Sequence, residues 1–163
     1  MWQWRYLLFT PGFTYVYLFR KASSANRFTK VFWRFCLRLC MYGTGIQIPS
    51  ATKVGRGFRI VHFGSIVVNP ATVIGDNFNI CQGVLIGNSA GKHAGTPVIG
   101  NNVQIGANAI VVGGVRIGND VLIAPGAFVN FDVPDNSIVV GNPGKIIPRT
   151  SSPTAKYMVY PLK

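Results

Sequence analysis

Two histidines carry most of the chemistry available to this chain, His62 in Ile60-Val-His-Phe-Gly64 and His93 in Gly91-Lys-His-Ala-Gly95. A neutral imidazole is the side chain best matched to taking a proton from a hydroxyl near neutral pH. Carboxylates offer little competition. There are four Asp (Asp76, Asp120, Asp132, Asp135) and no Glu, so a hydrolase built on paired carboxylates has few groups to choose from. The three cysteines, Cys36, Cys40 and Cys81, form neither an even disulfide set nor a zinc spacing. Cys36 and Cys40 lie one helical turn apart and suit a shared apolar face. Cys81, in Ile80-Cys-Gln-Gly-Val84, reads as a small core residue. Unpaired thiols place the chemistry in the cytosol, and no metal is expected.

The elements that must hold these histidines are set by an internal repeat. From Ile48 an aliphatic residue recurs every six positions, at Val54, Ile60 and Ile66. The phase slips by two, a slip we assign to Pro70-Ala71-Thr72, and resumes at Ile74, Ile80 and Ile86. After an irregular stretch it restarts at Ile99 and continues through Ile105, Val111, Ile117, Ile123 and Val129. Glycine often follows the aliphatic, as in Ile74-Gly75, Ile99-Gly100 and Ile117-Gly118. Six is neither a helical period nor a simple strand alternation; it is the hexapeptide repeat of a parallel β-helix. The first aliphatic of each hexad points into the prism, and Gly or Asn supplies the turn geometry.

The repeat divides the chain. Residues 1–45 are expected to form a helical, basic and aromatic N-terminal cap. Residues 46–150 form the left-handed parallel β-helix, with an extended loop at about residues 88–97, and residues 151–163 form a loose C-terminal tail. The fold class is an all-β core under an α-helical cap.

Charge is lopsided, with 16 Lys and Arg against 4 acids for a net charge of +12, although charged residues make up only 12% of the chain. Seven of the basic residues (Arg5, Arg20, Lys21, Arg27, Lys30, Arg34, Arg38) lie in residues 1–45, which contain no acid. Aromatic residues interleave with them, from Trp2 and Trp4 to Phe32, Trp33 and Phe35. That pattern fits an interfacial membrane helix. It fits equally a cap whose aromatics pack on the domain or on another subunit. The uncharged run from Tyr6 to Phe19 is too short to span a bilayer and lacks a signal-peptide cleavage site. No nucleic-acid recognition motif accompanies the charge, so nucleic acid is not an expected partner.

The hexads, together with Lys53-Val-Gly-Arg-Gly57, the His62-Phe-Gly-Ser-Ile-Val-Val-Asn69 segment, Thr96-Pro-Val-Ile-Gly100 and the closing Val139-Val-Gly-Asn-Pro-Gly-Lys-Ile-Ile147, resemble the left-handed β-helix acyltransferases. Within them the chain is similar to serine O-acetyltransferases and to the short O-acetyltransferases of surface-polysaccharide gene clusters. The resemblance covers about residues 46–148. It implies a homotrimer with sites between adjacent prisms, acetyl-CoA as co-substrate, and direct transfer to an acceptor hydroxyl with a histidine as base.

On that resemblance His62 is the base: it is third in its hexad, Gly64 follows it, and it occupies the family's histidine position. Gln47, fifteen residues earlier, stands where serine acetyltransferases carry an Asp that orients the base. A Gln can accept from an imidazole N–H but cannot stabilise the imidazolium as a carboxylate would. Val61 replaces an acid, and Gly95-Thr96 replaces an Arg-His pair. Losing those anchors weakens a zwitterionic acceptor, which favours a neutral sugar hydroxyl over serine. His93, Thr96 and Asn69 are the expected acceptor contacts, with a solvated loop histidine the alternative for His93. Backbone around Gly87, Ala107 and Pro125 is expected to hold the pantetheine arm as an added strand would. Gly141, Asn142 and Pro143 resemble the coenzyme A-contacting segment, with Gly144 where Ala is usual. Lys145 and Arg149 suit nucleotide phosphates, or are simply a solvated basic end.

Readings of other kinds are weaker. A β-helix carbonic anhydrase needs three clustered histidines, and an ice-binding β-helix needs flat threonine arrays. A trimeric scaffold that docks a membrane-bound polysaccharide assembly through its cap is the non-enzymatic alternative. Localisation is expected to be cytoplasmic, with membrane association at the inner face through residues 1–45 the further possibility.

Overall fold

The computed structural model describes residues 10–91 and 93–159. Within them, helices α1 (Pro11–Ser24) and α2 (Lys30–Thr44) precede a three-faced prism of short strands. The first face holds β1 (Lys53–Val54), β4 (Val73–Ile74), β7 (Val98–Ile99) and β10 (Arg116–Ile117). The second holds β2 (Arg59–Ile60), β5 (Asn79–Ile80), β8 (Gln104–Ile105) and β11 (Leu122–Ile123), extended by the hairpin of β13 (Ser137–Val140) and β14 (Lys145–Pro148). The third holds β3 (Val67–Val68), β6 (Leu85–Gly87), β9 (Ile110–Val112) and β12 (Phe128–Val129).

Strands on each face pair in parallel from coil to coil, and only β13 and β14 pair antiparallel. The architecture is the left-handed β-helix expected from the hexads, capped by helices at its N-terminal end. Strand side chains alternate between faces, so the repeated aliphatic of each hexad enters the core: Ile80, Ile86, Ile105, Val111, Ile123 and Val129 are fully buried.

A regular coil is three hexads, as Gln104 pairs with Leu122, eighteen residues on. Two coils are longer. Asn79 pairs with Gln104 across the expected loop, and Arg59 pairs with Asn79 across two extra residues. Those two do not fall at Pro70-Ala71-Thr72. Val68, rather than Ile66, pairs with Ile86, so the insertion lies between Ile60 and Ile66, in the corner that carries His62. The periodicity misled because Ile66 and Val68 both point inward and are buried; either could lead a hexad.

The edge between the first and second faces, the ladder edge, is held by side chains. Asp76 Oδ1 accepts the Arg56 amide, Asn101 Oδ1 the Asp76 amide, Asn119 Oδ1 the Asn101 amide and Asp135 Oδ1 the Asn119 amide, at 2.7–2.9 Å. The glycine before each bend lets the coils approach, since a Cβ on Gly118 would lie 2.6 Å from the Asp135 nitrogen. Asn77, Asn102, Asp120 and Asn136 follow with φ of 52–55°, a conformation that Asn and Asp tolerate better than most residues.

Helix α1 seats the cap. Tyr15, Phe19 and Ala22 recur at helical spacing and are buried, and the Phe19 ring meets the edge of Phe58 at 6.1 Å. The Tyr15 hydroxyl donates to the Ile48 carbonyl and accepts the Ile48 amide, both at 2.9 Å. The Arg20 guanidinium donates to the carbonyls of Val54 and Gly55. Helix α2 packs on α1, buries Leu37 and stops at Gly45, whose left-handed backbone (φ 69°) sends its amide to the Met41 carbonyl. Residues 1–9 of the expected cap lie outside the described residues.

The tail is not loose where it is described. Ser152 Oγ and Thr154 Oγ1 donate to Asp120 Oδ1 at 2.6 and 3.2 Å, and Asn79 Nδ2 donates to the Tyr157 carbonyl at 2.8 Å. Thr154 is fully buried. Hydroxyls and a backbone carbonyl make this attachment, so no apolar periodicity announced it.

Candidate active site

The edge between the second and third faces, the histidine edge, is built from one corner per coil. His62 occupies the widest of these, at Val61–Ser65. Above it the Gly83 amide donates to the Gly64 carbonyl at 3.0 Å, the Asn108 amide to Gln82 at 3.0 Å, and the Gly126 amide to Ala107 at 2.8 Å. Gly64 (φ 116°) and Ser65 (φ 50°) both take positive φ to turn the enlarged corner. The two extra residues of this coil thus fall in the corner that presents the His62 imidazole outward. His62 is exposed and makes no side-chain hydrogen bond to any described residue.

His62 lines a cleft of about 490 Å³ with Phe63, Gln82, Thr10, Pro11, Gly12, Ile60 and Val61. The start of α1 forms its far wall because Gly12 sits against the prism, where a Cβ would approach the Ile60 carbonyl to 2.9 Å. A second, more apolar cavity of about 500 Å³ adjoins it through Thr10, Gly12, Ile60 and Val61.

Gln82 did not emerge from the sequence as a site residue. Its Oε1 is buried and accepts no hydrogen bond from a described residue, and it stands one coil above His62. A buried acceptor without a donor costs free energy, so a partner from outside the chain fits this position. The only signal in the sequence was its place in Ile80-Cys-Gln-Gly-Val84, which reads as core.

Gln47 lies on the third face, bridged in parallel to Val67. Its amide donates to the Ile66 carbonyl at 2.6 Å and its carbonyl accepts the Val68 amide at 2.9 Å. Its side chain is solvent-facing, and no hydrogen bond joins it to His62 among the described residues.

The residues matched to coenzyme A fall on the same edge as His62, with one exception. Ala107 and Pro125 are corner residues of successive coils, and the Gly141 carbonyl accepts the Phe128 amide at 3.0 Å just above them. Gly141, Asn142, Pro143 and Gly144 form the turn joining β13 to β14, and Lys145 opens β14 with its side chain in solvent. From the His62 coil to that turn is four strand spacings, about 19 Å. Gly87 is the exception: it closes β6 on the far side of the third face, and its carbonyl accepts the Gly113 amide at 3.1 Å.

Asn69, Thr96 and His93 share that far side, the loop edge between the third and first faces. Asn69 Oδ1 accepts the Ala71 amide at 2.9 Å and Thr96 Oγ1 donates to the Ala71 carbonyl at 3.2 Å, so both side chains are occupied in shaping the turn. His93 is exposed and its backbone carbonyl accepts the Gly114 amide at 2.8 Å. Within one chain, then, His62 and His93 stand at opposite edges of the third face. That face presents an apolar outward row of Val67, Leu85, Ile110 and Phe128.

Among the described residues no three His, Cys, Asp or Glu side chains gather as a metal site, and no helix is long and apolar enough to cross a membrane.

Known proteins share the fold. Residues 96–130 match the bacterial transferase hexapeptide (six repeats) family. A serine acetyltransferase of Helicobacter pylori is 36% identical over 148 residues, covering 89% of this chain and 86% of that protein. WcaB of Escherichia coli K12, named for an acetyltransferase of colanic acid biosynthesis, is 41% identical over 102 residues, 63% of each chain. The crystal structure of Neisseria gonorrhoeae serine acetyltransferase superposes with a TM-score of 0.78 at 33% identity, covering 93% of this chain and 61% of that one. That of Brucella abortus serine acetyltransferase in complex with coenzyme A gives 0.77 at 31% identity, covering 88% and 58%. The chain therefore spans about three fifths of the length of these solved relatives. Its fold and its similarity over nearly all its length to an acetyltransferase place it in one family: the chain belongs to the hexapeptide-repeat acetyltransferases, the family that includes the serine acetyltransferases.

Proposed function

We propose that this protein moves the acetyl group of acetyl-CoA to an acceptor hydroxyl, a sugar of surface-polysaccharide biosynthesis, with His62 as general base. The observation that carries the reading is the His62 corner, where an exposed imidazole free of structural duties opens onto a cleft. An imidazole nitrogen takes the proton as the acceptor oxygen attacks the thioester carbonyl. The tetrahedral adduct then expels coenzyme A thiolate, which regains a proton and leaves as the free thiol, with the acetyl ester on the acceptor. A base positioned in this way contributes about 10²–10⁴ in rate.

Acetyl-CoA is expected to lie along the histidine edge, beside Ala107, Pro125 and the turn of Gly141, Asn142 and Pro143, with Lys145 near its phosphates. Gly87 on the loop edge reaches the same ligand only across a subunit boundary. The apolar row of Val67, Leu85, Ile110 and Phe128 supports a homotrimer, in which a neighbour's loop edge brings His93, Thr96 and Asn69 toward His62. Gln47 stands on the same face as a positioning residue for the imidazole. The protein would act in the cytoplasm, at the inner face of the membrane through its cap.

Gln47, Val61 and Gly95-Thr96 supply no charge for the ends of an amino acid, and this favours a neutral sugar. Similarity over 148 residues to the Helicobacter pylori serine acetyltransferase favours serine as the second reading. Free-thiol release from acetyl-CoA, followed with serine and with a panel of sugars and nucleotide sugars, separates them. Release with a sugar and none with serine is expected; release with serine alone overturns the sugar reading.

A further inference from the structure

The two cap helices divide their work unequally. Helix α1 is buried against the prism, whereas α2 turns a continuous apolar stripe outward. Val31, Phe35, Leu39 and Tyr42 recur every three or four residues, with Phe32 beside Val31 and Phe28 just before the helix, and all are exposed, Phe28 by 92% and Val31 by 78%. Soluble proteins seldom leave such a stripe uncovered.

Arg34 and Arg38 run along one side of it, with Arg27 just before the helix. No acidic residue precedes Asp76 in the chain, and the one ion pair among the described residues joins Arg56 to Asp76, away from this face. An antiparallel two-fold contact between copies of α2 would set the guanidinium row against its mate. An anionic bilayer instead accepts the apolar stripe among its acyl chains and neutralises the basic flank with its headgroups.

We propose that the outer face of α2 is a docking surface for an anionic lipid bilayer. This deepens the membrane contact in the reading above by naming its helix face and its lipid, and it stands whether or not the acceptor is a sugar. The surface ends beside the active corner. Helix α2 stops at Gly45, where a Cβ would lie 3.1 Å from the Ser65 nitrogen, three residues from His62. A bilayer seated on α2 therefore lies at the His62 end of the prism.

Flotation of the full-length protein with vesicles tests this. The protein is expected to float with phosphatidylcholine vesicles containing phosphatidylglycerol, to stay below with phosphatidylcholine alone, and to be released by salt. The triple variant Phe32→Ser, Phe35→Ser, Leu39→Ser and the double variant Arg34→Glu, Arg38→Glu should each lose binding by about tenfold or more. Circular dichroism and gel-filtration volume report whether each variant is folded. The proposal falls if wild type does not float, or if folded variants float as well as it does. It also falls if wild type forms a larger oligomer that the triple variant loses, which would make a second copy the cover of this face. Thiol release is not read in this experiment, so a failure of the acetyl-transfer reading leaves its outcome unchanged.

Discussion

The ladder edge and the histidine edge of the prism are made from the same hexads and do opposite things. On the ladder edge nearly every polar side chain reaches down one coil: Asp76, Asn101, Asn119 and Asp135 each accept a backbone amide of the coil below. On the histidine edge the corners are joined coil to coil mainly by backbone bonds, and among the described residues neither the His62 imidazole nor Gln82 Oε1 has a hydrogen-bond partner. A repeat protein needs each coil fastened only to its neighbours. One edge can therefore carry the fastening while another is released for chemistry.

Disturbing the ladder edge is expected to move stability and leave turnover per folded molecule unchanged; a change in that turnover would show that the two edges do not work separately. The largest effect belongs to Gly118→Ala, whose new Cβ would meet the Asp135 nitrogen at 2.6 Å. A loss of about 3 kcal/mol is expected, read as a lowered midpoint of urea unfolding. Next is Tyr15→Phe at the cap joint. It strips the buried Ile48 amide and carbonyl of their shared hydroxyl, at about 2 kcal/mol by the same measurement. Asn101→Ala removes the acceptor of the Asp76 amide and should lower stability by about 1 kcal/mol.

The smallest effect is one of pH. The Arg56 backbone amide and guanidinium hold the Asp76 carboxyl below its usual range. Its contribution is therefore present above the unfolded carboxylate value and fades as pH falls through the folded one. Asp76→Asn should flatten the acid side of the stability profile slightly, its small loss being present at neutral pH and fading as pH falls, read as the unfolding midpoint against pH.

How much of this was legible in the sequence follows from what each feature is made of. The prism was readable because its core demands one aliphatic per hexad. The ladder edge was half visible, since Gly75-Asp76, Gly100-Asn101 and Gly118-Asn119 recur; that their side chains fasten the coil below needs the stacking itself. The two-residue insertion was misplaced because Ile66 and Val68 are equally buried. Gln82 was missed because a single amide among aliphatics has no pattern, and its orphaned Oε1 gains meaning only from its place in the wall of the His62 cleft. The docked tail was missed because it attaches through Ser152, Thr154 and a Tyr157 carbonyl, groups any loop contains. The cap was open between packing and membrane contact, and its two described helices differ: α1 packs, and α2 keeps its stripe.

Turnover of acetyl-CoA by His62→Ala, set beside its unfolding midpoint, tests the account most directly. With an acceptor that supports release by the wild type, the variant should lose about 10²-fold or more in turnover while unfolding at the wild-type midpoint, because the imidazole fastens nothing. A folded His62→Ala protein that releases thiol at the wild-type rate would contradict it.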